Sequence, residues 1–147
     1  MPAKEGPNMK ILVPVDGSTY SLKAVETACD LAKAQAPATI VLTAVAVQIP
    51  ELEEGVYIAE KMKVQAEIAL AKAKEVAQGK GLTAEVFLAT GASPADEIVQ
   101  VAKDQKADLI VIGSRGLAGK TRSFLGSTAS QVVTYSPCSV LVVKTRD

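Results

Sequence analysis

The residues best able to do chemistry in this chain are glycines and hydroxyls. One segment reads Gly113-Ser114-Arg115-Gly116, then nine residues, then Gly126-Ser127-Thr128. Glycine lets a backbone come close to a ligand and turn its peptide N–H groups toward an anion. Gly126-Ser127-Thr128 opens a predicted helix, Ser127 to Tyr135, whose free N–H groups and dipole also favour negative charge. Two hydroxyls add hydrogen bonds. The charge distribution agrees. Between Leu109 and Arg146 there is no Asp or Glu, whereas Arg115, Lys120, Arg122, Lys144 and Arg146 give +5. The 16 basic and 16 acidic residues of the whole chain cancel, so the remainder carries −5. A neutral chain therefore has one anion-attracting end, and the chemistry this implies is phosphate binding. The second candidate is Asp16, in the turn Asp16-Gly17-Ser18. Asp-Gly often does no more than tighten a turn. Here it closes an apolar run, where a carboxylate would face a ligand.

Other chemistries are excluded or weak. The 147 residues contain no His, which removes His-ligated metal sites, Ser-His-Asp and Cys-His relays, and every His general base. Cys29 and Cys138 form no CxxC pair; Cys29 falls on an apolar helix face and reads as core, and Cys138 reads as structural. Glu51, Glu53 and Glu54 read as a solvated loop rather than a metal cluster. The stretch Ser114 to Thr121, S-R-G-L-A-G-K-T, imitates a phosphate-binding P-loop, but Gly113 lies one residue too early and no downstream strand ends in Asp. Zero net charge argues against nucleic-acid binding. The longest uncharged run, Ala34 to Pro50, is broken by Pro37 and is too short for the ~20 apolar residues of a membrane span. The start, MPAKEGPN, lacks an apolar signal-peptide core, so a cytoplasmic protein is expected.

The elements that must position these residues alternate. Ile11 to Val15, Thr39 to Val47, Thr83 to Ala89, Leu109 to Ile112 and Val140 to Val143 read as strands. Between them lie a helix capped by Ser18 and stopped by Pro37, an Ala-rich helix after an acidic loop from Pro50 to Tyr57, a helix opened by Ser93-Pro94, and the helix from Ser127. The Ala-rich helix presents Ala59, Met62, Ala66, Ala69, Ala73 and Val76 on one face and ends at Gly79 and Gly81. Continuous apolar strands alternating with helices imply an α/β fold, a doubly wound five-stranded parallel sheet with helices on both faces. The expected order is 3-2-1-4-5. Winding then reverses between strands 1 and 4, and ligands bind at such a reversal, outside the carboxyl ends of the strands. The turn at Asp16 and the Gly113 loop meet there. One domain is expected over residues 9–147, after an arm of residues 1–8; the true start is Met1 or Met9.

From Met9 to Lys144 the chain resembles the universal stress protein family, whose fold is of the Rossmann-like, adenine nucleotide alpha hydrolase-like type. The resemblance rests on Ile11-Leu12-Val13-Pro14-Val15-Asp16-Gly17-Ser18, on G-x2-G-x9-G-[ST] from Gly113 to Ser127, and on the ending Pro137-Cys138-Ser139-Val140-Leu141-Val142-Val143. The middle motif marks the ATP-binding branch. The resemblance implies that Gly113, Gly116, Gly126 and Ser127 line the phosphates and ribose, with Arg115 and Thr128 adjacent. It also implies that Pro14, Val15 and Asp16 face the adenosine, Val45 the adenine ring, and Ile112 the base or ribose. ATP is the implied cofactor, with Mg or Mn on its phosphates, an ion relying on phosphate oxygens and Asp16. A homodimer through the exposed edge of the fifth strand, Val140 to Val143, is implied as well. Ala44 stands where many relatives carry a His, and Ser139 where Pro is frequent.

Three functions follow. The first is a nucleotide-binding regulatory module of the stress response. The second is a slow ATP hydrolase or nucleotidyl-transfer enzyme. For it the chemistry is thin: Asp16 is the sole acidic candidate near the loop, and no group is placed to orient a water. The third is a dimeric scaffold that binds no nucleotide, against which the intact glycine spacing speaks.

Overall fold

A computed structural model describes residues 8–35, 37–48, 55–117 and 125–145. Nine elements alternate: β1 (Met9–Pro14), α1 (Thr19–Ala34), β2 (Ala38–Val47), α2 (Gly55–Gly79), β3 (Glu85–Gly91), α3 (Pro94–Asp104), β4 (Leu109–Gly113), α4 (Ser127–Tyr135) and β5 (Ser139–Val143). The strands form one parallel sheet in the order β3-β2-β1-β4-β5, as the alternation predicts.

The local rules are visible in the helices. Ser18 caps α1, its Oγ accepting from the Ser21 amide at 3.1 Å. Ser93 caps α3, accepting from the Asp96 amide at 3.3 Å, with Pro94 in the first turn and Asp96 and Glu97 against the positive end of the dipole. After α2, Gly81 takes a φ of +82°, and the Leu82 amide donates to the Ala77 carbonyl at 3.0 Å.

Side chains of β1 alternate between two cores. Ile11 and Val13 join Ala24, Val25 and Ala28 of α1 and Ala69 and Ala73 of α2 on one face. Leu12 joins Ile98 and Val101 of α3 and Val132 of α4 on the other. Being covered on both faces is why the central strands read as unbroken apolar runs. Cys29 lies in the first core, and burial, with Asp30 adding to it, pushes its thiol pKa up.

Several boundaries differ from the sequence expectation, most by a residue or two. The helix α2 starts at Gly55, inside the expected loop. Its buried face is Ala66, Ala69, Leu70, Ala73 and Ala77, while Met62 stays 36% exposed. The strand β3 runs two residues later than expected because its ladder with β2 extends from Val41↔Glu85 to Val47↔Gly91. It is a sheet edge, so Val86 and Phe87 remain exposed despite being apolar. Val15 falls just past β1, yet its amide still donates to the Thr43 carbonyl at 2.8 Å and prolongs the pairing. The expected arm up to Pro7, Glu51, Glu53, Glu54, Lys120, Arg122 and Arg146 lie outside the described residues.

Candidate functional site

At the carboxyl ends of β1, β2 and β4 the sheet opens into a cavity of about 620 Å³. The topology makes it. Strands β1 and β4 pair only at Ile11↔Leu109 and Leu12↔Ile110, then part. The helices that follow them, α1 and α4, pack on opposite faces of the sheet, so neither fills the crevice between.

Every residue expected at the site lines this one cavity. Pro14, Val15 and Asp16 come from the end of β1, Val45 from β2, and Ile112, Gly113, Arg115 and Gly116 from β4 and its loop. Gly126, Ser127 and Thr128 come from the start of α4. Positions separated by about a hundred residues in sequence thus face one space. The sequence reading missed the wall supplied by α2, where Met62, Gln65, Ala66 and Ala69 line the cavity. It missed Thr43 and Val47 of β2 and Pro94 and Ile98 of α3 as lining residues too. The α2 residues did carry a signal, since Met62, Ala66 and Ala69 share the helical face noted in the sequence. Periodicity says that a face is covered, and cannot say whether by sheet or by ligand.

The turn after β1 is tightly specified. Gly17 takes a φ of +89°, which only glycine adopts without strain. The Asp16 carboxylate accepts from the Ser18 amide at 2.9 Å, and the Asp16 amide donates to Ser21 Oγ at 3.3 Å.

The three motif glycines stand in different surroundings. A Cβ on Gly113 would come within 2.8 Å of the Tyr20 carbonyl oxygen, and one on Gly116 within 2.6 Å of Asp16 Oδ2. The Tyr20 backbone bars a side chain at Gly113, and at Gly116 a side chain would have to displace the Asp16 carboxylate. Gly126 is different: its φ is −65°, and the nearest atom to an added Cβ is Arg115 Cα at 3.4 Å. There a methyl group would make ordinary contacts with the backbone of Ser114 and Arg115, and Gly126 lines the cavity. The loop ends are stitched to the scaffold by the Ser114 amide on the Val143 carbonyl at 3.0 Å and the Gly126 amide on the Ser114 carbonyl at 2.7 Å.

Gly126 is also the N-cap of α4 and supplies no side-chain bond to the first turn. The amides of the first turn have no intrahelical acceptor, and Ser127, Thr128 and Ala129 border the cavity. The arrangement can bind an anion through backbone amides, beside a largely apolar wall suited to a flat ring. Among the described residues there is no group of three His, Cys, Asp or Glu able to hold a metal by itself, and no helix is long and apolar enough to cross a membrane.

A doubly wound parallel sheet with a glycine-lined crevice at its switch point defines a Rossmann-like α/β protein. Residues 7–144 match the model of the universal stress protein family, and the chain belongs to that family. It is 38% identical to universal stress protein MJ0531 of Methanocaldococcus jannaschii over 96% of this chain and 86% of the relative. It superposes on the universal stress protein UspA of Lactobacillus plantarum with a TM-score of 0.81 at 25% identity, covering 95% of this chain and 99% of that one. It is also similar to a universal stress protein crystallised in complex with cAMP, at a TM-score of 0.73 and 29% identity over 94% of this chain and 98% of that one.

Proposed function

We propose that this protein binds an adenine nucleotide, ATP in the first instance, in the switch-point cavity and acts as a regulatory module of the stress response. The observation that carries the reading is the start of α4. Gly126, Ser127, Thr128 and Ala129 line the cavity, and the first turn meets it without a side-chain cap. In this reading the phosphates lie against Gly116, Gly126, Ser127 and Thr128, with Gly113 and Arg115 behind them. The ribose and base lie against Pro14, Val15, Val45 and Ile112, with α2 as the outer wall. The structurally similar universal stress protein bound to cAMP supports an adenine ligand.

A divalent ion would fit only as a companion of the phosphates. Asp16 is exposed and each of its oxygens keeps a lone pair, but no second carboxylate lines the cavity among the described residues. The regulatory reading is preferred to hydrolysis because Asp16 is the one carboxylate lining the cavity among the described residues, and both its oxygens are already engaged by backbone amides. A homodimer through β5 belongs to the same proposal: β5 is a sheet edge, and its Leu141 is 38% exposed. So does a cytoplasmic setting, where nucleotide is abundant and two free cysteines stay reduced.

The test is mass spectrometry of small molecules released from freshly purified protein, with isothermal titration of ATP and AMP. Copurified adenine nucleotide and saturable binding are expected. No binding of either at millimolar concentration would remove the proposal.

A further inference from the structure

Asp16 is engaged by the protein's own backbone on both carboxylate oxygens. Oδ1 accepts from the Ser18 amide at 2.9 Å, within its own turn. Oδ2 accepts from the Leu117 amide at 3.1 Å, across 101 positions of sequence. The same Oδ2 lies where a Cβ at position 116 would sit, 2.6 Å away, so its approach is what requires glycine there. Strands β1 and β4 are already unpaired at this end of the sheet, their ladder having stopped at Leu12↔Ile110. The carboxylate therefore bridges the two lips of the crevice at the point where the sheet no longer does.

We propose that Asp16 is a positioning residue, a clasp whose carboxylate holds the Gly116–Leu117 backbone against the β1 turn so that the glycine loop is preset for its ligand. The clasp rests on the nucleotide reading above for its effect on affinity, and on geometry alone for its effect on the loop. An ionised acceptor makes the stronger kind of hydrogen bond. Asp16 is exposed in the open cavity, and a ligand that excluded water from it would strengthen both bonds. Gly116 is the partner residue, since any larger side chain would push the carboxylate away.

Two measurements on the full chain test this. In the first, Asp16→Ala removes both accepting oxygens. Exchange of the Leu117 amide hydrogen in nucleotide-free protein should quicken roughly tenfold, the scale of one charge-assisted bond. ATP affinity should fall by a similar factor. The second is a double-mutant cycle of Asp16→Ala and Gly116→Ala, read by thermal stability and by ATP affinity. Gly116→Ala should be costly in the parent and cheap once the carboxylate is gone. Unchanged exchange at Leu117 in Asp16→Ala, or additive effects in the cycle, would overturn the clasp. Weaker ATP binding with unchanged exchange would likewise overturn it and assign Asp16 to direct ligand contact. If the parent binds no nucleotide, the functional proposal falls, while exchange and the stability cycle still decide the clasp.

Discussion

Two helices, α3 and α4, begin beside the same cavity and pack into the same core, yet their first turns are built oppositely. The start of α3 is closed by its own sequence: Ser93 caps an amide, Pro94 removes a donor, and Asp96 and Glu97 neutralise the dipole. The start of α4 has a glycine cap, no side-chain hydrogen bond from it and no acidic residue in the first turn. Leaving a helix end so is unfavourable unless water or a ligand completes it. The contrast shows how one fold completes one helix start with its own side chains and leaves another without them. The difference lies in a few polar side chains, not in the backbone path.

The sharpest way to break the contrast is to give α4 the cap that α3 has. Gly126→Asp places a carboxylate where the phosphates are proposed to lie, and ATP affinity should fall by at least about a hundredfold in isothermal titration, through charge repulsion and occupation of the same amides. Thermal stability should hold or rise. A smaller step is Gly126→Ala. The fold tolerates its methyl group, so the melting midpoint should barely move, while ATP binding weakens by roughly tenfold because the backbone can no longer be approached closely. Undiminished binding in this variant would place the ligand elsewhere. Removing the cap of α3 should do the reverse: Ser93→Ala is expected to cost about 1 kcal/mol of stability in denaturant unfolding and leave ATP affinity unchanged. The smallest effect is expected for Ser127→Ala, which removes one hydroxyl near the proposed phosphate position and should weaken binding by about 0.5 kcal/mol without altering stability.

How much of this was legible depended on the range of the interaction. The apolar runs Ile11 to Val15 and Leu109 to Ile112 announced buried parallel strands because both faces of such strands are covered, and only branched apolar residues satisfy that. Ser18, Ser93 and Pro94 announced helix starts because capping is decided within three residues. The glycine spacing, Gly113, Gly116 and Gly126, marked three residues that line the cavity. The register of β3 was not legible: Thr83 and Ala84 are as strand-compatible as Thr90 and Gly91, and the choice was made by the ladder with β2. The cavity wall from α2 was hidden because Met62 and Ala66 look like any sheet-packing face. The reasons for Gly113 and Gly116 were hidden too. Both answer to atoms roughly a hundred positions away, the Tyr20 carbonyl and the Asp16 carboxylate.

What the amino-acid sequence determined by itself was the kind and order of elements, and hence a reversal of winding between two known strands. Periodicity, capping and crossover handedness are short-range or chiral rules that leave few alternatives. Tertiary structure alone decided which residues share the crevice, and which glycine of the motif the fold can spare. Those outcomes turn on contacts of a few ångströms between segments far apart in the chain, and no local preference encodes such distances.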